Sequence, residues 1–170
     1  MGRKELENLT KSQLIELIEA YSKNWLAIDG AWFQAVEKAG GMDEAMARDI
    51  DAWKVFTVAE ARRIKKFLGL PERPGLQGLA DALLLRFYSN INEDDIAISG
   101  NTLIYKNVTC FVQDARRKKG MEYHPCKSLG IIEYGDFAKT IDDRITCRCL
   151  SCYPDVTDET CRCSWEFTLK

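Results

Sequence analysis

All seven cysteines of this 170-residue chain lie after residue 109, at Cys110, Cys126, Cys147, Cys149, Cys152, Cys161 and Cys163. The chain therefore divides into a part ordered by ordinary apolar packing and a part whose fold must either gather thiols or hide them.

The first part reads as helix. Thr10 offers an N-cap, and Gln13 three residues on closes a capping box. Leu14, Leu17, Ile18, Tyr21, Trp25, Ile28, Trp32 and Val36 then recur at spacings of three and four. That period predicts a long helix burying this face, mildly interrupted at Gly30 and ended by Gly40 and Gly41. A second helix is expected from Met42 or Asp43, turning Met46, Ile50, Trp53, Ala61, Ile64 and Phe67 inward and stopping at Gly69 before Pro71 and Pro74. Arg62, Arg63, Lys65 and Lys66 fall in its last turns, where they complement the helix dipole. Leu76, Leu79, Leu83, Leu84 and Phe87 predict a third amphipathic helix.

Polarity then changes period. Ile96 and Ile98 alternate with polar neighbours, Gly100-Asn101 supplies turn residues, and Leu103 and Tyr105 alternate again, so residues 95–108 predict a β-hairpin. A short polar helix is expected from about Phe111 to Lys119, closed by Gly120, and another segment from Cys126 to Lys139, helical in its first half. Residues 144–149 and 163–169 read as a second pair of strands around a loop rich in Asp, Thr and Pro. The expected fold is α+β: three N-terminal helices followed by a ββααββ unit with an antiparallel sheet. It is expected as one domain over 1–170, helical over 1–90 and cysteine-rich over 91–170, since this length with 46% hydrophobic residues supports one core.

Charge narrows the function classes. Charged residues make up 29% of the chain with both signs interspersed, and the net charge is −2, so no bulk field favours nucleic acid or an anionic membrane. Apolar runs such as 82–85 are too short to cross a bilayer, and the polar stretch 1–8 has no leader-like apolar core. The expected location is the cytoplasm, where thiols stay reduced and clustered cysteines point to metal or redox chemistry. Nucleotide-binding glycine loops, a paired-histidine zinc helix and a serine elbow are all missing from the sequence.

Cys149-Leu150-Ser151-Cys152 is a CxxC pair of the spacing that lets two sulfurs converge on one ion. Cys147 and Cys149, like Cys161 and Cys163, would share a strand face. A hairpin of these segments would gather up to five sulfurs, with Cys110 and Cys126 approaching from the other half of the sheet. Four thiolates suit zinc, iron or an iron–sulfur cluster. Two plainer readings stand beside this: cysteine as a small buried hydrophobe, and a disulfide joining Cys147 or Cys149 to Cys161 or Cys163. His124 in Tyr123-His124-Pro125-Cys126 reads as polar decoration of a surface turn rather than a ligand. Glu133, with Tyr134 and Asp136, follows Cys126 by a turn or two and is the candidate general base for a metal-bound water, against the plainer reading of a solvated face. The run Arg116, Arg117, Lys118, Lys119 suits a helix C-terminus. The tryptophans at helical spacing read as core or dimer packing.

The opening Leu9-Thr10-Lys11-Ser12-Gln13-Leu14, the run Lys23-Asn24-Trp25-Leu26-Ala27-Ile28-Asp29-Gly30-Ala31-Trp32-Phe33, Arg63-Ile64-Lys65-Lys66-Phe67-Leu68, Pro125-Cys126-Lys127-Ser128, Phe137-Ala138-Lys139-Thr140-Ile141-Asp142 and Cys149-Leu150-Ser151-Cys152 carry a resemblance over nearly the whole chain. It resembles a family of small cysteine-rich cytosolic proteins of anaerobic microbes. That family is distantly similar to L-2-amino-thiazoline-4-carboxylate hydrolase-like proteins and, in architecture, to the 4-vinyl reductase domain. The resemblance implies a metal set drawn from Cys110, Cys126, Cys149, Cys152 and Cys163, with Cys147 and Cys161 as additions peculiar to this chain. Two functions follow as expectations: a zinc or iron–sulfur module that binds a small molecule or senses, and a zinc-dependent hydrolase of a carbon–nitrogen bond. A homodimer through the helical part is a further expectation.

Overall fold

The structure, a computed structural model, describes residues 2–170. Its elements run α1 (Gly2–Glu7), α2 (Lys11–Leu68), α3 (Gly75–Leu83), a 3-10 turn (Phe87–Asn90), β1 (Asp94–Ser99), β2 (Thr102–Asn107), α4 (Phe111–Lys118), α5 (Lys127–Ile141), β3 (Ile145–Cys152) and β4 (Cys163–Leu169).

The capping box opens α2 as its sequence dictates: Gln13 N–H donates to Thr10 Oγ1 at 3.2 Å and Thr10 N–H donates to Gln13 Oε1 at 2.9 Å. Gly69, left-handed, closes α2 with its N–H on the Lys65 and Lys66 carbonyls. The expected three N-terminal helices are not found as such. A short α1 comes first, and the two long helices form one continuous α2, broken only at Gly41 with φ 84° and ψ 176°. Such a backbone is open to glycine and strained for other residues, so a single residue reverses the chain and no loop is needed. The reversal is plain from Trp25 and Phe56, whose ring centroids lie 5.1 Å apart. On one straight helix these residues would be about 46 Å apart along the axis. Residues 11–40 and 42–68 therefore form the two arms of a helical hairpin, joined by Phe33, Ala45, Met46 and Trp53 in one apolar cluster.

The expected inward face of the first arm is corrected by the structure. Tyr21 (62%), Ile28 (63%) and Trp32 (69%) are exposed, while Ser22 and Phe33 are buried. The arm carries apolar residues on more than one face, and the face that meets the second arm and His124 is the one holding Phe33. Phe67 likewise turns outward, 81% exposed, because the row through Ala61 and Ile64 continues to Leu68, which packs on the core.

The four strands form one antiparallel sheet in the order β1-β2-β4-β3. One face of the sheet presents Leu103, Tyr105, Trp165 and Phe167 to Leu79 and Leu83 of α3 and to Phe137 and Ile141 of α5. Ala61 and Ile64 of α2 join the same core, so the helical and cysteine-rich parts share it. Phe137, Phe167, Leu83 and Leu103 have no exposed area, and each such side chain contributes about 1.5–3 kcal/mol of burial. Gly130 of α5 lets helix and sheet approach closely: a Cβ there would lie 2.5 Å from Trp165 Cζ2.

Candidate functional site

Beside this core, a cavity of about 450 Å³ opens between the two arms of α2, α4, α5 and the ends of β2 and β4. Its wall is mostly apolar and aromatic, from Phe33, Trp53, Tyr88, Tyr134 and Trp165, and it is interrupted by Asp29, Asp49, His124, Glu133 and four thiols. This size and lining are those of a site for a small organic ligand.

The polar centre is built by a tight turn. Cys126 N–H donates to the His124 carbonyl at 2.8 Å, closing a three-residue turn about Pro125, whose ring holds the backbone dihedral such a turn requires. The turn sets the two flanking side chains together, with His124 Nδ1 3.1 Å from Cys126 Sγ. On the other side of the ring, His124 Nε2 lies 3.3 Å from Asp49 Oδ2 on the second arm of α2. A carboxylate near Nε2 favours the ring proton on that nitrogen, the tautomer whose Nδ1 lone pair faces the thiol. His124 is 5% exposed and packs against the Phe33 ring, at 4.6 Å between centroids. It is therefore a buried group and not decoration of a surface turn. Gln113 of α4 locks the turn from both sides. It accepts from His124 N–H at 3.0 Å, donates to the His124 carbonyl at 2.8 Å, and sets the same amide nitrogen 3.2 Å from Cys126 Sγ. Cys126 is also the N-cap of α5.

Arg116 departs from the helix-end role read from its sequence. It is buried, forms two 2.8 Å contacts to the Glu37 carboxylate, and donates to the Glu122 carbonyl. It thereby ties α4 and the approach to the His124 turn onto the first arm of α2.

The sheet supplies the other thiols. A bulge between Cys149 and Ser151 shifts the register, so that Cys149 pairs with Trp165 and Cys152 pairs with Cys163. Residues three apart on a regular strand face opposite ways, and the bulge is what returns Cys152 to the face of Cys149. Cys152 and Cys163 reach the cavity wall together with Cys110 and Cys126. Cys149 stands behind Cys152, Cys147 lies further along β3 against the core, and Cys161 sits outside, 4.0 Å from the Asp158 carbonyl. All seven are free thiols. Among the described residues, no three His, Cys, Asp or Glu side chains are placed to hold a metal ion together. Burial pushes the Cys110 thiol up to about 11 and the Cys126 thiol well above its ordinary range, while neighbouring Cys152, together with burial, raises Cys163.

Two carboxylates on the wall differ in how they are held. Glu133 is bound by Arg86, whose Nη2 is 2.7 Å from Oε1, and Arg86 also bonds Glu60 at 2.9 Å. Burial raises the Glu133 carboxyl and the Arg86 charge lowers it. Asp29 has no cationic side chain bonded to it and accepts from the Tyr88 hydroxyl at 3.2 Å. Burial, then the nearby Asp49 charge, pushes it up to about 6.

Of the residues singled out by sequence, Cys110, Cys126, Cys152, Cys163 and Glu133 thus meet at one cavity, and Cys149 lies one layer back. Asp29, Asp49 and Gln113 gave no sequence signal, since each becomes polar wall only through contacts far away in the chain. For His124, the Pro125-Cys126 that follows was the available sign.

A sequence-family profile matches residues 7–169 of the chain, described as "Family of unknown function (DUF6125)". The chain belongs to this family. The matched span takes in both arms of α2, the whole sheet and every residue of the DUF6125 cavity named above. No curated protein matches the sequence. No helix among the described residues is long and apolar enough to cross a membrane.

Proposed function

We propose that this protein binds a small organic molecule with a protonated nitrogen in the cavity between α2, α5 and the sheet. The observation that carries the reading is the pair Asp29 and Asp49, set in an aromatic wall with no lysine or arginine bonded to either. Glu133 and Arg116 on the same wall are already paired, and the two lysines of the wall, Lys23 and Lys119, reach Glu19 and Gln34 instead. Asp29 and Asp49 favour a cation held next to them, and aromatic faces add attraction for it. Two further polar groups on the wall lack partners: the Trp165 indole N–H, in a residue 1% exposed, and the Asn107 amide oxygen. A seated ligand supplies what they lack. A small-molecule role is also what the resemblance read from the sequence, to L-2-amino-thiazoline-4-carboxylate hydrolase-like proteins and the 4-vinyl reductase domain, implies, and free thiols suit a reducing cytoplasm.

A thermal-shift panel of small amines, each matched with its neutral or carboxylate analogue, tests this reading. Amines are expected to raise the melting temperature of the wild type and to lose that effect in Asp29→Asn. Equal shifts from carboxylates, or no shift from any compound, would refute it.

A second reading places a thiophilic metal, zinc or iron, on Cys149, Cys152 and Cys163. The bulge favours it, because it turns all three onto one face of the sheet. As placed they form no ligand set, so binding would have to draw them together. The exposed residues Ile18, Tyr21, Ile28 and Trp32, at helical spacing on the first arm, support self-association as a helix-pairing seam.

A further inference from the structure

Resting on the ligand site just proposed, we infer that Cys126, His124 and Asp49 form a nucleophilic thiol relay that acts on an acyl carbon bearing a nitrogen leaving group. The geometry has each part such chemistry needs. Sulfur and base are in contact, at 3.1 Å between Cys126 Sγ and His124 Nδ1. A carboxylate stands beside the base, at 3.3 Å between His124 Nε2 and Asp49 Oδ2, and favours the tautomer able to take the thiol proton. The sulfur lies on the cavity wall, where a bound molecule would meet it. Gln113 Nε2, 3.2 Å from the same sulfur, and the N-terminus of the 15-residue α5 provide donors and positive potential beside the attacked carbon. Neither the thiols behind it on β3 and β4 nor the other cavity thiols have a histidine in contact, and that contact singles out Cys126.

The step balances without an oxidant or a metal. Sγ forms a bond to the acyl carbon as its proton passes to His124 Nδ1. The carbon–nitrogen bond breaks, its electron pair stays on nitrogen, and His124 returns the proton to that nitrogen. The amine leaves neutral, and it becomes the cation that Asp29 attracts only by taking up the proton that the carboxylic acid formed in the next step gives up. Water then gives a proton to His124 and attacks the thioester carbon; the carbon–sulfur bond breaks, sulfur regains the proton, and a carboxylic acid is released. Asp49 and Gln113 are positioning residues for His124 and the turn.

The probe is p-nitrophenyl acetate, a simple acyl donor, added to the full-length wild-type protein, with peptide mass mapping of the acetyl group. The expected result is rapid release of nitrophenolate matched by one acetyl group on Cys126. Cys126→Ser should leave the other cysteines unlabelled on that timescale. His124→Gln should slow labelling on the order of 10²-fold, and its rate should keep rising toward the thiol range. Asp49→Asn should fall between. Acetyl groups spread evenly over several cysteines or lysines of the wild type would overturn the relay, whatever the variants do. A folded His124→Gln with the wild-type rate would overturn it too. Amine-induced thermal shifts that persist alongside unselective labelling would sink the relay and leave the binding site standing.

Discussion

The guanidinium of Arg86 lies 2.7 Å from the carboxylate of Glu133, at 2% exposure and beneath the rings of Tyr134 and Phe137. Glu60 holds the same guanidinium from the other side. One cation thus serves two buried carboxylates. Replacing it with a hydrophobe of similar size leaves both unpaired, and Arg86→Met is expected to cost about 3–5 kcal/mol. Glu133→Gln should cost much less, because Glu60 remains to pair with Arg86. Urea denaturation of the two variants checks the order. Equal losses would mean that Glu133 is the dominant partner.

Asp29 predicts a pH dependence of definite sign. Its carboxyl titrates near 6 in the fold, above its value of about 3.9 in an unfolded chain. A raised acid stabilises the fold fully below the unfolded value and loses that contribution as pH rises through 6. Asp29→Asn should therefore be more stable than wild type at pH 8, by up to roughly 3 kcal/mol, and the gap should close toward pH 4. Amine binding should weaken as pH falls below 6, since the protonated carboxyl no longer attracts a cation. Denaturation midpoints at pH 4, 6 and 8, chosen about these two values, decide it.

Asp142 predicts the opposite sign. Arg144, with the Gly75 N–H, holds its carboxyl well below the carboxylate range. A depressed acid stabilises the fold above the unfolded value and loses that contribution as pH falls through the folded one. Asp142→Asn should narrow the stability difference between neutral pH and about pH 3 seen in wild type. An acid melting profile identical to wild type would argue against it.

The outward row on the first arm of α2 predicts association that surface charge breaks. Trp32→Glu and Ile28→Glu should shift any dimer to monomer in sedimentation experiments while changing the unfolding free energy by no more than about 0.5 kcal/mol, as both side chains are exposed. A wild type that is monomeric at every concentration would remove the seam reading.

Metal uptake is checked by elemental analysis of protein purified without oxygen. The second reading expects about one zinc or iron, released together with a fall in melting temperature in Cys149→Ser and Cys152→Ser. Protein without metal, or variants with unchanged content, would remove it.

What the sequence made legible was local. Thr10 with Gln13, Gly69, Gly100-Asn101 and Gly120 mark ends and turns through their own backbone chemistry, and each lies where the structure has one. Gly40-Gly41 marked the end of a helix but not that a single glycine would fold one arm onto the other. Apolar spacing showed the row of Tyr21, Ile28 and Trp32 without showing that a neighbouring row, through Phe33, would be buried. Clustered cysteines pointed to one region of the fold, yet the bulge that turns Cys152 toward the cavity depends on how β3 pairs with β4. Contacts between Asp49 and His124, or Arg86 and Glu133, join residues far apart in the chain and have no local pattern.

A molecule seated in the cavity would lie against its wall of thiols. The most direct measurement follows the Cβ resonances of 13C-labelled cysteines by NMR while the best-binding amine is titrated in. Cys110, Cys126, Cys152 and Cys163 are expected to shift together with one affinity while Cys147 and Cys161 stay still. Shifts confined to Cys147 or Cys161, or none at saturation of the thermal effect, would contradict it.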